Sequence, residues 1–251
     1  LAVPNPLLSV VTVTFNARAA FEKTAASVRA QTWRHRIEYL VVDGASTDGT
    51  VAAIQAAAER SEVDAWVSEP DRGIYDAMNK ATARARGEYV LFLNAGDTFP
   101  AADTVERFLD LGTDRPDYVW GDCEVDQGGQ QVLDPARLMV RFLYRQMTVS
   151  HQSLAVRTEV LRRHPFDLSL KVAADYAVLC ALVTSGAPGL YRPVVVGRIE
   201  EEGFSSKNFF RGLDEKRRVS RQFFPADQWR AAPYFALWSL YMRLKLLLKA
   251  N

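Results

Sequence analysis

The chain has 251 residues, 48% of them hydrophobic and 24% charged. That length and balance exclude collagen-like, low-complexity and wholly disordered chains, and suffice to bury a core without disulfide or metal staples. Thirty-one Lys and Arg against 30 Asp and Glu leave a net charge of +1, so no basic excess points to nucleic acid as a partner. The charge is unevenly spread, however: residues 203–251 carry a net +7 and residues 1–202 a net −6. Cys123 and Cys180 are far apart and in no CxxC spacing, which suits a reducing cytoplasm rather than a disulfide framework or zinc site. No run approaches the roughly 18 apolar residues of a membrane span, and no charged-then-apolar signal opens the chain.

Taken in order, Leu8–Thr14 reads as a buried strand, short and β-branched, followed by a helix over Ala17–Ala30 with Phe21, Ala25 and Val28 on one face. Ile37–Val42 is a second strand ending at Asp43. Ser46–Val51 supplies capping groups for a second helix carrying Val51, Ile54 and Ala58. Asp64–Ser68 is a weaker strand, Ile74–Ala85 a third helix and Glu88–Leu93 a fourth strand. Beyond Asp97 the pattern predicts a helix near Ala101–Leu111, a strand at Tyr118–Asp122, a turn at Asp126–Gly129 and a mixed stretch to Met147. A strand over Ser153–Val156, helices at Val160–Arg163 and Ala173–Thr184, and a strand over Tyr191–Ile199 follow. Strands and helices alternating this closely predict an α/β fold with a doubly wound, mainly parallel sheet.

Ligands of such sheets bind beyond the carboxyl ends of the strands. Those ends carry Thr14-Phe15-Asn16, Asp43, Glu69-Pro70-Asp71 and Asn94-Ala95-Gly96-Asp97. The glycine cradles of dinucleotide folds and P-loop enzymes and the serine-hydrolase elbow are all missing from the sequence. Carboxylates and small residues at strand ends, with one isolated histidine, make an inventory for a metal-bound diphosphate, since Mg²⁺ or Mn²⁺ takes one or two carboxylates and lets phosphate oxygens complete its shell. Asp97, beside Gly96, is either such a ligand or a cap for the next helix.

Four ordered blocks, Ser9–Asn16, Val41–Thr50, Ser68–Lys80 and Gly87–Asp97, resemble those of glycosyltransferase family 2, with His151-Gln152 and Ala174-Asp175-Tyr176 resembling its acceptor-half signatures more loosely. The resemblance implies a GT-A fold and inverting transfer of a sugar from a nucleotide diphosphate-sugar. It implies that Asp43 reads the base, that Thr14, Phe15 and Asn16 wall the nucleoside pocket, and that Asp71 and Arg72 close over base and ribose. Lys80 supports that region or the diphosphate, Asn94 bonds a ribose hydroxyl, and Asp97 with His151 holds a divalent Mg²⁺ or Mn²⁺ ion. The family's D-x-D motif stands here as Asn94-Ala95-Gly96-Asp97, with only Asp97 acidic. Asp175 matches the catalytic base, preceded by Ala174 where the family usually has Glu; by position alone it is also a favourable charge at a helix start. Asp48 reads as a helix cap, and Asp76 and Asn79 as loop supports or substrate contacts.

The expected organisation is a nucleotide-sugar half over residues 1–97, an acceptor half over 98–202 and a helical basic tail over 203–251, with the boundary at Glu200–Gly203. The acceptor is a glycan or lipid-linked glycan of bacterial surface polysaccharide synthesis; a nucleotidyltransferase and a scaffold subunit without turnover are the rival readings. In the tail, Leu237, Leu240, Tyr241, Leu244, Leu247 and Leu248 fall on one helical stripe flanked by Arg243, Lys245 and Lys249. That stripe meets an anionic membrane surface, the catalytic domain or a second subunit.

Overall fold

The computed structural model describes residues 6–136, 139–200 and 208–249. The first half alternates β1 (Leu8–Thr14), α1 (Arg18–Arg29), β2 (Ile37–Asp43), α2 (Thr50–Glu59), β3 (Ala65–Ser68), α3 (Ile74–Arg84) and β4 (Tyr89–Phe92). There follow α4 (Thr104–Leu109), β5 (Tyr118–Gln127), β6 (Gln130–Asp134), α5 (Met139–Phe142), β7 (Leu154–Arg157), α6 (Thr158–Arg163), α7 (Ala174–Thr184) and β8 (Gly189–Glu200). Two helices, α8 (Phe209–Phe223) and α9 (Gln228–Lys249), close the chain. The Glu200–Gly203 boundary expected from sequence falls largely outside the described residues.

All eight strands join one sheet in the order β3-β2-β1-β4-β7-β5-β6, with β8 also paired to β5. β3, β2, β1 and β4 run parallel, and β7 joins β4 antiparallel. The expected strand at Tyr118–Asp122 continues to Gln127 because β5 has partners along its whole length: β7 on its first half, β6 on its second, β8 beside both. The turn at Asp126–Gly129 therefore closes a hairpin whose second strand, β6, is exposed throughout and lacks the apolar pattern that would announce it. Helix α4 is shorter than expected, because the Thr104 side chain bonds back to Ala101 and makes the preceding residues a turn.

Helices cover both faces, which explains why β1 and β2 are apolar without alternation. Val11, Val13, Leu40 and Val42 pack on one face with Met78 of α3 and Leu179 of α7. Leu8, Val10, Tyr39 and Val41 pack on the other with Phe21 of α1, Ile54 of α2 and Phe108 of α4. Since β1, β2 and β4 are parallel and in register, Thr14, Asp43 and the residues after Phe92 emerge at one edge.

Candidate active site

Asp43 is completely buried at the end of β2. It accepts hydrogen bonds from the Ser46 N–H at 2.9 Å, from the Ser46 hydroxyl, and from the Ser68 hydroxyl at 2.6 Å. Ser46 in turn accepts from the Asn16 N–H at 2.7 Å, while Asn16 Oδ1 accepts from Thr47 N–H at 2.8 Å. Asn16 thus sits in the left-handed region, φ 47°, with its side chain tying the β1 and β2 loops together. Asp48 accepts from the Thr50 hydroxyl and from the Thr50 and Arg18 N–H groups, so it ties the starts of α2 and α1 together, although Gly49 and Ala17 are the N-caps; those bonds, led by the Thr50 hydroxyl, hold its carboxyl below the usual range.

Across this edge lies a cavity of about 320 Å³ lined by Thr14, Phe15, Asp71, Arg72, Tyr75 and Lys171 among others. Phe15 is 63% exposed at its rim. Gly44 leaves room here, since a Cβ would stand 2.8 Å from Asp71 Oδ2 and 3.3 Å from the Phe15 ring. Asp71 itself accepts the Gly73 N–H at 2.8 Å. Arg72 bonds Asp76 at 3.0 Å. Lys80 pairs with Glu69 at 3.0 Å and donates to the Pro70 carbonyl at 2.8 Å. Asn79 exchanges two 2.9 Å bonds with the Phe166 backbone. Asp76 and Lys80 are therefore engaged in fixing the loop that bears Asp71 and Arg72, while Asn79 fixes the connection between α6 and α7.

The turn after β4 is organised by a residue that sequence patterning passes over. The Thr24 hydroxyl of α1 donates to the Asn94 and Asp97 carbonyls and accepts the Gly96 N–H at 3.0 Å, and Gly96 takes φ 102° to complete the turn. Asp97 Oδ2 accepts from Gln152 Nε2 at 2.9 Å, and α4 begins only at Thr104. Asn94 Nδ2 lies 3.0 Å from His151 Nε2, and His151 Nδ1 lies 3.3 Å from Asp175 Oδ2. His151 thus bridges Asn94 and Asp175 through its two ring nitrogens.

Asp175 stands in the first turn of α7 and accepts from the Tyr75 hydroxyl at 3.0 Å and the Tyr176 N–H at 2.8 Å. Burial pushes its carboxyl up, but the bond to His151, that ring's charge, the Tyr176 N–H and Lys216 together outweigh burial and hold it below the usual carboxylate value. Burial and the neighbouring Asp175 push the Tyr75 hydroxyl the other way, so it remains a donor. Because Tyr75 also lines the cavity, one side chain joins the Phe15–Asp71 pocket to Asp175. The loop into α7 is fixed by Glu215 of α8, which is 2% exposed and accepts the N–H groups of Lys171, Val172 and Ala173 at 2.7–3.1 Å. Nothing in its sequence context, a charged helix, distinguishes Glu215 from its solvated neighbours.

Among the described residues no group of three or more His, Cys, Asp and Glu is arranged to hold a metal ion. The turn that Thr24 ties together does carry two oxygen donors, the Asp97 carboxylate and Asn94 Oδ1, the latter buried without a hydrogen-bond partner. One carboxylate and one amide oxygen suit a hard divalent ion that draws the rest of its shell from phosphate. Both His151 nitrogens face protein partners in this arrangement.

Comparison with known proteins agrees with this architecture. An uncharacterized glycosyltransferase of Mycobacterium tuberculosis is 34% identical over 191 residues, 71% of this chain and 72% of that one. A PGL/p-HBAD biosynthesis glycosyltransferase of Mycobacterium bovis is 32% identical over 234 residues, covering 85% and 86%. The solved structure of the mannosyltransferase PcManGT from Pyrobaculum calidifontis, in complex with GDP-Man and Mn²⁺, superimposes with a TM-score of 0.64 at 20% identity, over 97% of this chain and 81% of that one; it shares the GT-A fold. With residues 9–165 matching the model of glycosyl transferase family 2, the chain belongs to that family and is a glycosyltransferase.

Proposed function

We propose that the protein transfers a sugar, with inversion at the anomeric carbon, from a nucleotide diphosphate-sugar to a glycan or lipid-linked glycan acceptor in bacterial surface polysaccharide synthesis. The observation that carries the reading is Asp175: an ionised carboxylate beside the cavity at the strand ends, its rotamer held by Tyr75, Tyr176 and His151. In the displacement the acceptor oxygen bonds to the anomeric carbon as its proton passes to Asp175. The bond from that carbon to the diphosphate oxygen breaks, and its electron pair leaves on the nucleotide diphosphate. Thr14, Phe15 and Asn16 wall the nucleoside, Asp43 reads the base through the loop it organises, and Asp71 and Arg72 close over base and ribose. Asn94 bonds the ribose.

Asp97, with the Asn94 amide oxygen, would hold Mg²⁺ or Mn²⁺, which supplies positive charge to the departing diphosphate. The Mn²⁺ of PcManGT and the biosynthetic role named for the M. bovis relative support the donor and pathway parts of this reading. The test pairs a nucleotide-sugar panel, read as released nucleotide diphosphate, with Asp175→Asn. The variant should lose about 10²- to 10⁴-fold in turnover with donor affinity unchanged. Retention of more than about a tenth of the activity would remove Asp175 from the role of base.

A further inference from the structure

Helix α9 is buried against the body only near its start; farther along its contacts are peripheral, Trp238 lying 6.3 Å from the Phe209 ring and Arg243 5.9 Å from the Phe210 ring. Ala231 and Phe235 are buried with Tyr144 and Leu213, whereas no described side chain of α9 beyond Phe235 is buried. There Leu237, Trp238, Leu240, Tyr241 and Leu244 are 40–67% exposed. Apolar side chains this concentrated on a surface mark an interaction site rather than scattered exposure. The rings of Tyr234, Trp238 and Tyr241 stack in a row, with centroids 6.4 and 5.4 Å apart. Such rings, polar at one end and apolar in the body, suit a boundary between water and hydrocarbon.

Charge decides which partner the face takes. From Gln228 to Asn251 the sequence holds Arg230, Arg243, Lys245 and Lys249 and not one carboxylate. A second copy would bring the same cations to the same contact, and like charges in a partly dry interface repel. An anionic surface meets no such opposition. No helix among the described residues is long and apolar enough to cross a membrane, so α9 would lie on one. We propose that the part of α9 beyond Phe235 docks on an anionic lipid surface, its leucines and rings at the acyl boundary and Arg243 and Lys245 at headgroup phosphates.

The full chain is sedimented with vesicles of phosphatidylcholine alone and of phosphatidylcholine mixed with phosphatidylglycerol, at low and high salt. Binding to the mixed vesicles only, weakened by salt, is expected. The Arg243→Gln/Lys245→Gln variant should lose about tenfold or more in affinity. Leu237→Ser/Leu240→Ser/Leu244→Ser should abolish binding while its circular dichroism stays unchanged, since all three positions are exposed. Equal binding to both vesicle types, binding to neither, or binding indifferent to both variants overturns the proposal. So does a solution dimer that the leucine variant splits into monomers, which would give the face to a second copy. No readout here depends on transfer chemistry, so the result stands apart from the donor reading.

Discussion

Asp175 accepts three hydrogen bonds, and removing one donor at a time separates their work. Tyr75→Phe deletes the bond to Oδ1 without altering the ring that lines the cavity, so the Asp175 carboxyl should rise toward the ordinary aspartate value of about 3.9. The acid limb of kcat/KM should move to higher pH in Tyr75→Phe than in the wild type, with donor KM little changed. The same lowered pKa bears on stability. A carboxyl depressed by folding contributes stabilisation that is complete above the unfolded value, about 3.9, and is lost as pH falls through the folded value, so Asp175→Asn should flatten the acid end of the stability profile. For Asp97, titration of nucleotide diphosphate with and without chelator should show strong metal dependence in the wild type and little in Asp97→Ala; equal affinity in all four conditions would favour neutralisation of the phosphates by protein cations. Position at strand ends marked Asp43 and Asp97 in the sequence, and the resemblance to the family marked Asp175, whose place at a helix start alone reads equally as a favourable helix charge. The sequence did not offer Thr24, Tyr75 or Glu215, whose side chains act across 70, 100 and 42–44 residues on partners that only the folded chain brings near.

At the scale of elements, the parallel half was legible because its strands are buried on both faces and its helices carry one apolar stripe, so each pattern names a single structure. β6 was not legible, because an exposed edge strand needs no apolar code and forms by backbone pairing to β5. The link between α7 and α8 was equally hidden. Glu215 satisfies three N–H groups ahead of α7 from an otherwise polar helix, and Gly212 lets α8 approach closely, since a Cβ there would stand 3.0 Å from Val172. Glu215→Gln keeps the shape and removes the charge from these bonds. It should cost about 1–3 kcal/mol in urea unfolding and lower kcat, because α7 carries Asp175.

Across the whole molecule, α9 is bound to the rest of the chain by a small apolar cluster in which its Ala231 and Phe235 meet Tyr144 and Leu213, with the Tyr234 hydroxyl donating to Gln146 at 3.1 Å. Phe235→Ala should destabilise the protein by about 3–5 kcal/mol, measured by thermal or urea unfolding, whereas Leu244→Ala on the free part of the same helix should change stability by less than about 0.5 kcal/mol. The contrast within one helix tests whether residues 228–235 are structural while the remainder is surface.

Glu215 also has a geometric consequence. It fastens α8 to the entry of α7, and α8 leads into α9, so the same buried carboxylate ties the helix that bears Asp175 to the C-terminal pair of helices.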